Sequence, residues 1–285
     1  MKLVSFEVGS GARYGAVKGD GVVDLTSASP WPTLRQALAA DGLATLAAIV
    51  KDEQPDHALA SLKYLIPVPD AEKILCIGVN YGNRNAEYKD GSDLPKWPSV
   101  FPRFARSFVG HGRKLQRPPE SKQLDYEGEI AIVIGKGGRR IPEAAALAHI
   151  AGLTCCNEGT IRDWTRHGKF NVTQGKNWEA SGAIGPWMAT PDELPPFDAL
   201  DLETRINGER RQKDTTANLM FPFAYLIHYL STWTTLSPGD IIVTGTPIGA
   251  GIRFDPPKFL QAGDRVEVEV GGLGTLANEV QDETP

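Results

Sequence analysis

Apolar residues fall along this chain in many short runs of strand length and in few stretches of helical spacing. Residues 3–8 and 13–17 read as strands, Lys18-Gly19-Asp20-Gly21 as a turn, and 22–25 as a returning strand, together a small antiparallel unit. Spacing over 33–48 predicts a helix, and 56–62 a second, short one. Ile66-Pro67-Val68-Pro69 breaks the pattern, which predicts a boundary near residue 70: a small N-terminal domain over 1–70 and a main domain over 71–285. Residues 73–79 predict a buried strand and 80–89 a helix after it. The Gly-, Pro- and Asp-rich stretch 90–98 predicts a loop. Beside a site, a helix followed by such a loop has the composition of a lid, although a plain surface connection has it too. Residues 99–112 read as irregular to extended.

Residues 130–134 are an unbroken β-branched and apolar run, hence a buried strand. A short helix over 142–149, a second apolar strand over 150–156 and a helical turn over 161–166 follow. The stretch 170–185 reads as irregular, and 187–189 as a short strand. Residues 202–206 run into Asn207-Gly208 and a return strand, the strongest local signal for a hairpin. The remaining elements are a helix over 222–232, a strand over 241–243 ending in the glycine-rich turn 244–251, and a half-exposed strand over 265–270. Many strands and few, short helices predict an α+β, β-rich fold.

Glu127 and Glu129 stand at the entrance to the 130–134 strand. Side chains alternate across a strand, so the two leave one face about 7 Å apart at their Cα atoms. At the edge of an apolar strand they repel each other and resist desolvation. A divalent cation resolves both problems; two surface glutamates at a solvated strand end is the plainer reading of the pair alone. Glu158 adds a third carboxylate, again at the end of an apolar strand. Three carboxylates with no cluster of His or Cys beside them suit a hard cation, Mg²⁺, Mn²⁺ or Ca²⁺, and not zinc. Lys176 follows in a Gly-flanked, Trp-containing loop, where a lone lysine reads as solvated. The turn 244–251 exposes backbone N–H groups to a ligand, but lacks the Gly-Lys-Ser/Thr ending of a phosphate loop.

Composition narrows the partners. A net charge of −5 gives no electrostatic case for nucleic acid or an anionic membrane. No apolar run approaches the ~20 residues of a membrane helix, and the first residues alternate like a strand rather than a signal sequence. Cys76, Cys155 and Cys156 have no metal or disulfide spacing, which predicts a reducing, cytoplasmic setting.

The succession EGEIAIVIGKG, AGLTCCNEGTIRDW, GKNWEASGAIGPW, NGERRQ and PGDIIVTGTPIGAG resembles the fumarylacetoacetate hydrolase family, from about residue 73 to residue 280. The resemblance implies a mixed β-sandwich-like roll and a homodimer. It also implies Mg²⁺ or Mn²⁺ held by Glu-x-Glu and by the Asp of an Asn-Asp motif. Its substrates are small 2-oxo acids, often from aromatic-ring breakdown, which members cleave, isomerise, hydrate or decarboxylate. Carried over residue by residue, it makes Glu127 and Glu129 metal ligands and puts Glu158, one methylene longer, where Asp is usual. It sets Lys176 beside the substrate and Thr246 against the substrate carboxylate, with Tyr81 on the binding side. Arg103 or Arg106 answers to a basic residue of the preceding segment, and spacing does not choose between them.

One departure matters more. Hydrolases and decarboxylases of this family commonly carry Asn-Tyr-x-x-His-x-x-Glu, whose His and Glu activate water. Here the stretch is Asn80-Tyr81-Gly82-Asn83-Arg84-Asn85-Ala86-Glu87, so Glu87 matches and Arg84 replaces the histidine. A guanidinium, with a pKa above about 12, is no general base; it is suited to gripping a second substrate carboxylate. Glu87 is then the candidate for moving a proton. His111 and His167 are the histidines near motif segments from which a replacement base would come, though each also reads as a structural or surface histidine. The expected function is a divalent-metal-dependent hydrolase or isomerase of a 2-oxo or 2-hydroxydienoic acid. Loss of the histidine brings isomerisation of 2-hydroxyhepta-2,4-diene-1,7-dioate level with hydrolysis of an acylpyruvate-type bond. Oxaloacetate-type decarboxylation or tautomerisation comes next. A catalytically weak 2-oxo acid binding protein is the alternative from another class, against which the retained carboxylates, Lys176 and Glu87 argue.

Overall fold

The computed structural model describes residues 1–87, 93–169 and 171–284. The end of the helix expected over 80–89 and the start of the loop expected over 90–98 lie outside the described residues. Among those described, a twelve-stranded sheet forms the spine and a five-stranded sheet packs against it. The spine runs from His57–Ala58 through Gly21–Asp24, Gly11–Lys18, Lys2–Val8, Gly182–Ala189, Ile150–Asn157, Gly128–Ile134, Ile241–Val243 and Ile74–Ile77 to Val100–Arg103. The smaller sheet orders Glu209–Thr215, Asp201–Ile206, Arg265–Val270, Gly274–Asp282 and Lys114–Arg117. The class is the α+β, β-rich one that the residue pattern predicts.

The strand Gly128–Ile134 is buried on both faces, which is why its apolar run is unbroken. Ile130, Ile132 and Ile134 point into the cluster shared with Val266, Val268 and Leu276 of the smaller sheet. Ala131 and Val133 point the other way, into a cluster that includes Leu3, Leu25 and Leu46 of the N-terminal stretch. Each large apolar side chain so buried contributes about 2 kcal/mol. Leu3 is paired with Met188, so the N-terminal stretch also joins the spine through its backbone. We propose the 1–70 and 71–285 division as two parts of one cooperative unit, because they share a sheet and an apolar cluster. Calorimetry of the whole chain is expected to give a single transition; two resolved transitions would mean that 1–70 melts by itself.

Several elements differ from expectation for identifiable reasons. The helix expected over 33–48 is two, Leu34–Ala39 and Leu43–Asp52. The chain breaks where Asp41 takes φ 53° and where a Cβ on Gly42 would lie 2.5 Å from the Trp31 ring. The short helix expected over 56–62 is instead a strand, His57–Ala58, and one 3₁₀ turn, Leu59–Ser61. His57 pairs with Val22, so an open sheet edge outbids the local preference. The strand expected at 187–189 begins earlier, at Gly182 inside the stretch read as irregular, because Gly182, Gly185 and Pro186 hide it from propensity. No helix among the described residues is long and apolar enough to cross a membrane.

Candidate active site and metal centre

Strand register assembles the site. Gly128 pairs with Asn157 and Glu129 with Cys156 in the antiparallel ladder. Continuing that register one step outward sets Glu127 against Glu158, and the Glu158 N–H donates to the Glu127 carbonyl at 2.7 Å. A slip of one residue would send these side chains to the opposite face. One carboxylate oxygen from each of Glu127, Glu129 and Glu158 lies within 4.8 Å of the others, and all three residues are buried. On the other flank Ala131 pairs with Val243, and the ladder runs on past the strand end. The Thr244 N–H donates to the Ile130 carbonyl, and the Gly245 N–H donates to Glu129 Oε2 at 2.5 Å. Gly245 has φ 103°, and a Cβ there would stand 2.7 Å from Asn80 Cβ, so this turn requires glycine.

Cations interleave with the carboxylates. The Lys176 ammonium, carried on the helical turn Thr173–Lys176, donates to Glu127 Oε2 at 2.6 Å, to Thr160 Oγ1 at 2.8 Å and to Glu158 Oε2. Arg162 Nη2 donates to Glu127 Oε1 at 2.8 Å, and Arg84 Nη2 to the same oxygen at 3.2 Å. Burial alone would raise the Glu127 carboxyl, yet Arg162, Lys176 and Arg84 hold it well below the usual carboxylate range. Glu129 is the opposite case. Burial, then Glu158 and Glu127, push it well above that range. Among the described residues it takes a single hydrogen bond, from Gly245. Burial and Glu127 raise Glu158 against the pull of Lys176 and Arg103. The Lys176 ammonium rises despite its burial, because Glu127 and Glu158 face it.

The residues fit a hard divalent cation. All the candidate ligand atoms are carboxylate oxygens, and Glu129 is a buried carboxyl facing two others with no cation among the described residues in hydrogen-bonding contact. Glu127, Glu129 and Glu158 would hold the ion.

The other expected site residues are brought together only in part. Tyr81 is buried and bridges through its backbone to Leu219; burial, Asp214 and Glu129 raise its phenol above the ordinary range. Glu87 is 20% exposed, accepting from the Gly249 N–H at 3.0 Å and from Arg84 Nη1. Arg84 is buried between Glu87 and Glu127, so the structure engages it inside the protein where the sequence suggested a grip on substrate. Arg103 is likewise spent internally. Its N–H groups go to Ser107 Oγ and O, Glu158 Oε1, Gly159 O and Ser181 Oγ, and no donor is left for a substrate. Arg106 is 85% exposed and pairs with Glu179 on the surface. The Thr246 hydroxyl donates to the Gly128 carbonyl at 2.9 Å and accepts from Gln212. His111 accepts from the Ala277 N–H at 3.1 Å beside Tyr64, and His167 stacks on Trp164 at 4.1 Å; neither contacts the carboxylates.

Sequence reading passed over Arg162, Thr160 and Asp125. Asp125 accepts from Arg162 Nε and from the Gly251 and Ile252 N–H groups, and so anchors the arginine that holds Glu127. A signal was present: Asp125, Glu127 and Glu129 are acidic at alternate positions. Surface hollows of about 360 and 300 Å³ lie around His111 and Trp187 and around Trp164 and Trp178; neither is lined by a carboxylate of the cluster. Converging chemistry, not hollow size, marks the site.

The chain belongs to the fumarylacetoacetate hydrolase family: residues 73–281 match the fumarylacetoacetate (FAA) hydrolase C-terminal domain. The mitochondrial oxaloacetate tautomerase FAHD2B of Bos taurus is 36% identical over 290 residues, covering 98% of this chain and 91% of its own. Among solved structures, a probable 2-hydroxyhepta-2,4-diene-1,7-dioate isomerase from Mycobacterium abscessus matches with a TM-score of 0.82 and 33% identity over 100% of both chains. The maleylpyruvate hydrolase from Sphingobium sp. SYK-6, in complex with manganese(II) ion and pyruvate, matches with a TM-score of 0.81 and 27% identity over 100% of both chains. The protein is thus an enzyme of a family that holds both hydrolases and isomerases.

Proposed function

We propose that this protein is a divalent-metal-dependent isomerase of 2-oxo acids, and that its reaction is keto–enol tautomerisation of a 2-oxo dicarboxylate of the oxaloacetate type. One observation carries the reading. Where a water-activating histidine would sit, Arg84 is held by Glu87 and Glu127, and a guanidinium does not take a proton from water. Hydrolysis needs that base; moving a proton between carbon and oxygen does not. The likeness to an oxaloacetate tautomerase along nearly the whole chain supports the same choice.

Bound by Glu127, Glu129 and Glu158, Mg²⁺ or Mn²⁺ would supply a Lewis acid toward the keto and carboxylate oxygens of the substrate. Lys176 adds positive charge where negative charge grows on the keto oxygen. Glu87, partly open to solvent, takes the proton from the carbon next to the keto group and returns it to oxygen. Arg84 and Arg103 position carboxylates: the first aims Glu87 and Glu127, the second Glu158. Tyr81 and the Thr246 turn line the substrate side. The buried free thiols Cys76, Cys155 and Cys156 support a reducing compartment, and we propose a cytoplasmic homodimer.

Likeness to the M. abscessus protein favours isomerisation of a 2-hydroxydienedioate as the second reading. Ultraviolet absorbance separates the possibilities. Decay of enol oxaloacetate is expected to accelerate, without pyruvate appearing, to stop in chelator, and to resume with Mg²⁺ or Mn²⁺. Pyruvate release would make the protein a decarboxylase. Cleavage of an acylpyruvate would make it a hydrolase, and absence of turnover a binding protein. Activity that survives exhaustive chelation would remove the metal from the scheme.

A further inference from the structure

Gln212 lies in the NGERRQ stretch, on the strand Glu209–Thr215 of the five-stranded sheet, and is 1% exposed. Its Oε1 accepts from the Gly128 N–H at 2.9 Å. Its Nε2 donates to Thr246 Oγ1 at 2.9 Å and to the Pro247 carbonyl at 3.0 Å. Both amide protons and one acceptor position are therefore in use. Gly128 is the residue between Glu127 and Glu129, and Thr246 follows the glycine whose N–H holds Glu129. A single buried amide from the second sheet thus ties the strand end that carries two carboxylates to the turn beside them. Glycine at 128 makes the approach possible: a Cβ there would fall 1.9 Å from Thr204 Oγ1 and 3.3 Å from Gln212 Oε1. A second buried amide, Asn80, also holds this turn. Asn80 Nδ2 donates to the Thr244 carbonyl at 2.7 Å, and its Oδ1 accepts from the Phe221 N–H.

We propose that Gln212 is a positioning residue for the reaction, setting the spacing between the Glu127–Glu129 strand end and the 244–247 turn. The proposal rests on the metal-site reading above. Gln212 touches neither ion nor substrate. It acts through the Gly128 N–H and through the Thr246 hydroxyl, whose own proton is directed at the Gly128 carbonyl. Its backbone pairs with Thr204 in its own sheet, but among the described residues the partners of its side-chain amide lie in the strand end and the turn of the site.

The test compares Gln212→Leu, Gln212→Glu, Thr246→Val and the double variant Gln212→Leu/Thr246→Val in the full chain. Mn²⁺ affinity of the metal-free proteins, read from the free-ion electron paramagnetic resonance signal, and their melting temperatures are measured beside KM. Gln212→Leu is expected to weaken Mn²⁺ binding by about tenfold, the scale of an outer-shell metal partner. Gln212→Glu keeps the acceptor for Gly128 and is expected to lose less. The double variant is expected to lose no more than the worse single variant, because both act through one link. Mn²⁺ affinity and KM within twofold of wild type in folded Gln212→Glu and Gln212→Leu, whatever their melting temperatures, would overturn the proposal. So would additive losses in the double variant. Wild-type protein that binds no Mn²⁺ would instead bring down the metal-site reading, and this inference with it.

Discussion

Glu129→Gln is expected to cost the protein its metal while leaving the metal-free chain no less stable. Glu129 is buried against Glu127 and Glu158, and both push its carboxyl up. A neutral amide removes that repulsion and retains an oxygen for the Gly245 N–H. Replacing buried charge with a neutral group of similar shape is often neutral or stabilising. The same change removes an ion ligand, so Mn²⁺ affinity should fall by more than the ~100-fold upper range of outer-shell losses, and activity with it. Glu127→Gln provides the contrast. Arg162, Arg84 and Lys176 all lean on Glu127, and the variant leaves them facing a neutral group, a loss of about 3 kcal/mol or more. Calorimetry in chelator and Mn²⁺ titration of both variants decide the matter. Unchanged Mn²⁺ affinity in Glu129→Gln would refute the ligand assignment. A sharp drop in its metal-free melting temperature would refute the electrostatic account.

Arg84→Met is expected to lower kcat on monocarboxylic and dicarboxylic 2-oxo acids alike, by roughly 10- to 100-fold. The sequence suggested another outcome, a KM rise confined to dicarboxylates, because an arginine in place of a base is suited to gripping a second carboxylate. In the folded chain the guanidinium is 3% exposed and already bridges Glu87 and Glu127. Its removal frees the proposed proton carrier and loosens a proposed ligand, effects that do not depend on the far end of the substrate. It also breaks a buried pair, at about 3 kcal/mol. Steady-state kinetics with one substrate of each kind, beside a melting curve, tests this. A KM increase restricted to dicarboxylates would return Arg84 to the substrate.

Much of the spine is legible in the residue pattern. The runs at 130–134 and 241–243 are apolar at every position, and 150–156 is interrupted only by the buried Thr154, whose hydroxyl donates to the Gly185 carbonyl; all three are strands buried on both faces and neighbours in the large sheet. Failures cluster where a tertiary partner outweighed local preference. His57–Ala58 became a strand because an edge was open to it, and Gly182–Ala189 did so despite its glycines and proline. The parallel strands Lys114–Arg117 and Gly274–Asp282, which complete the smaller sheet, drew no strand reading from their own residues.

For the site, the sequence by itself determined which chemistry is present: carboxylates at Glu127, Glu129 and Glu158, a lysine at 176, an arginine where a histidine is usual, and glycines that permit close approach. Residue type and alternation suffice for that, since strand geometry relates i to i+2 without reference to the rest of the chain. Which cation faces which carboxylate was decided only by the tertiary structure. Arg103 turned inward to Glu158 and Arg106 outward to Glu179, although the two are three residues apart in one segment. Arg84 closed on Glu127, forty-three positions further along the chain, and Gln212 on Gly128 from another sheet. The physical reason is that long, flexible side chains carry no direction in the sequence. Burial makes each seek the partner that offsets its lost hydration, and only the packed sheets determine which partners are within reach.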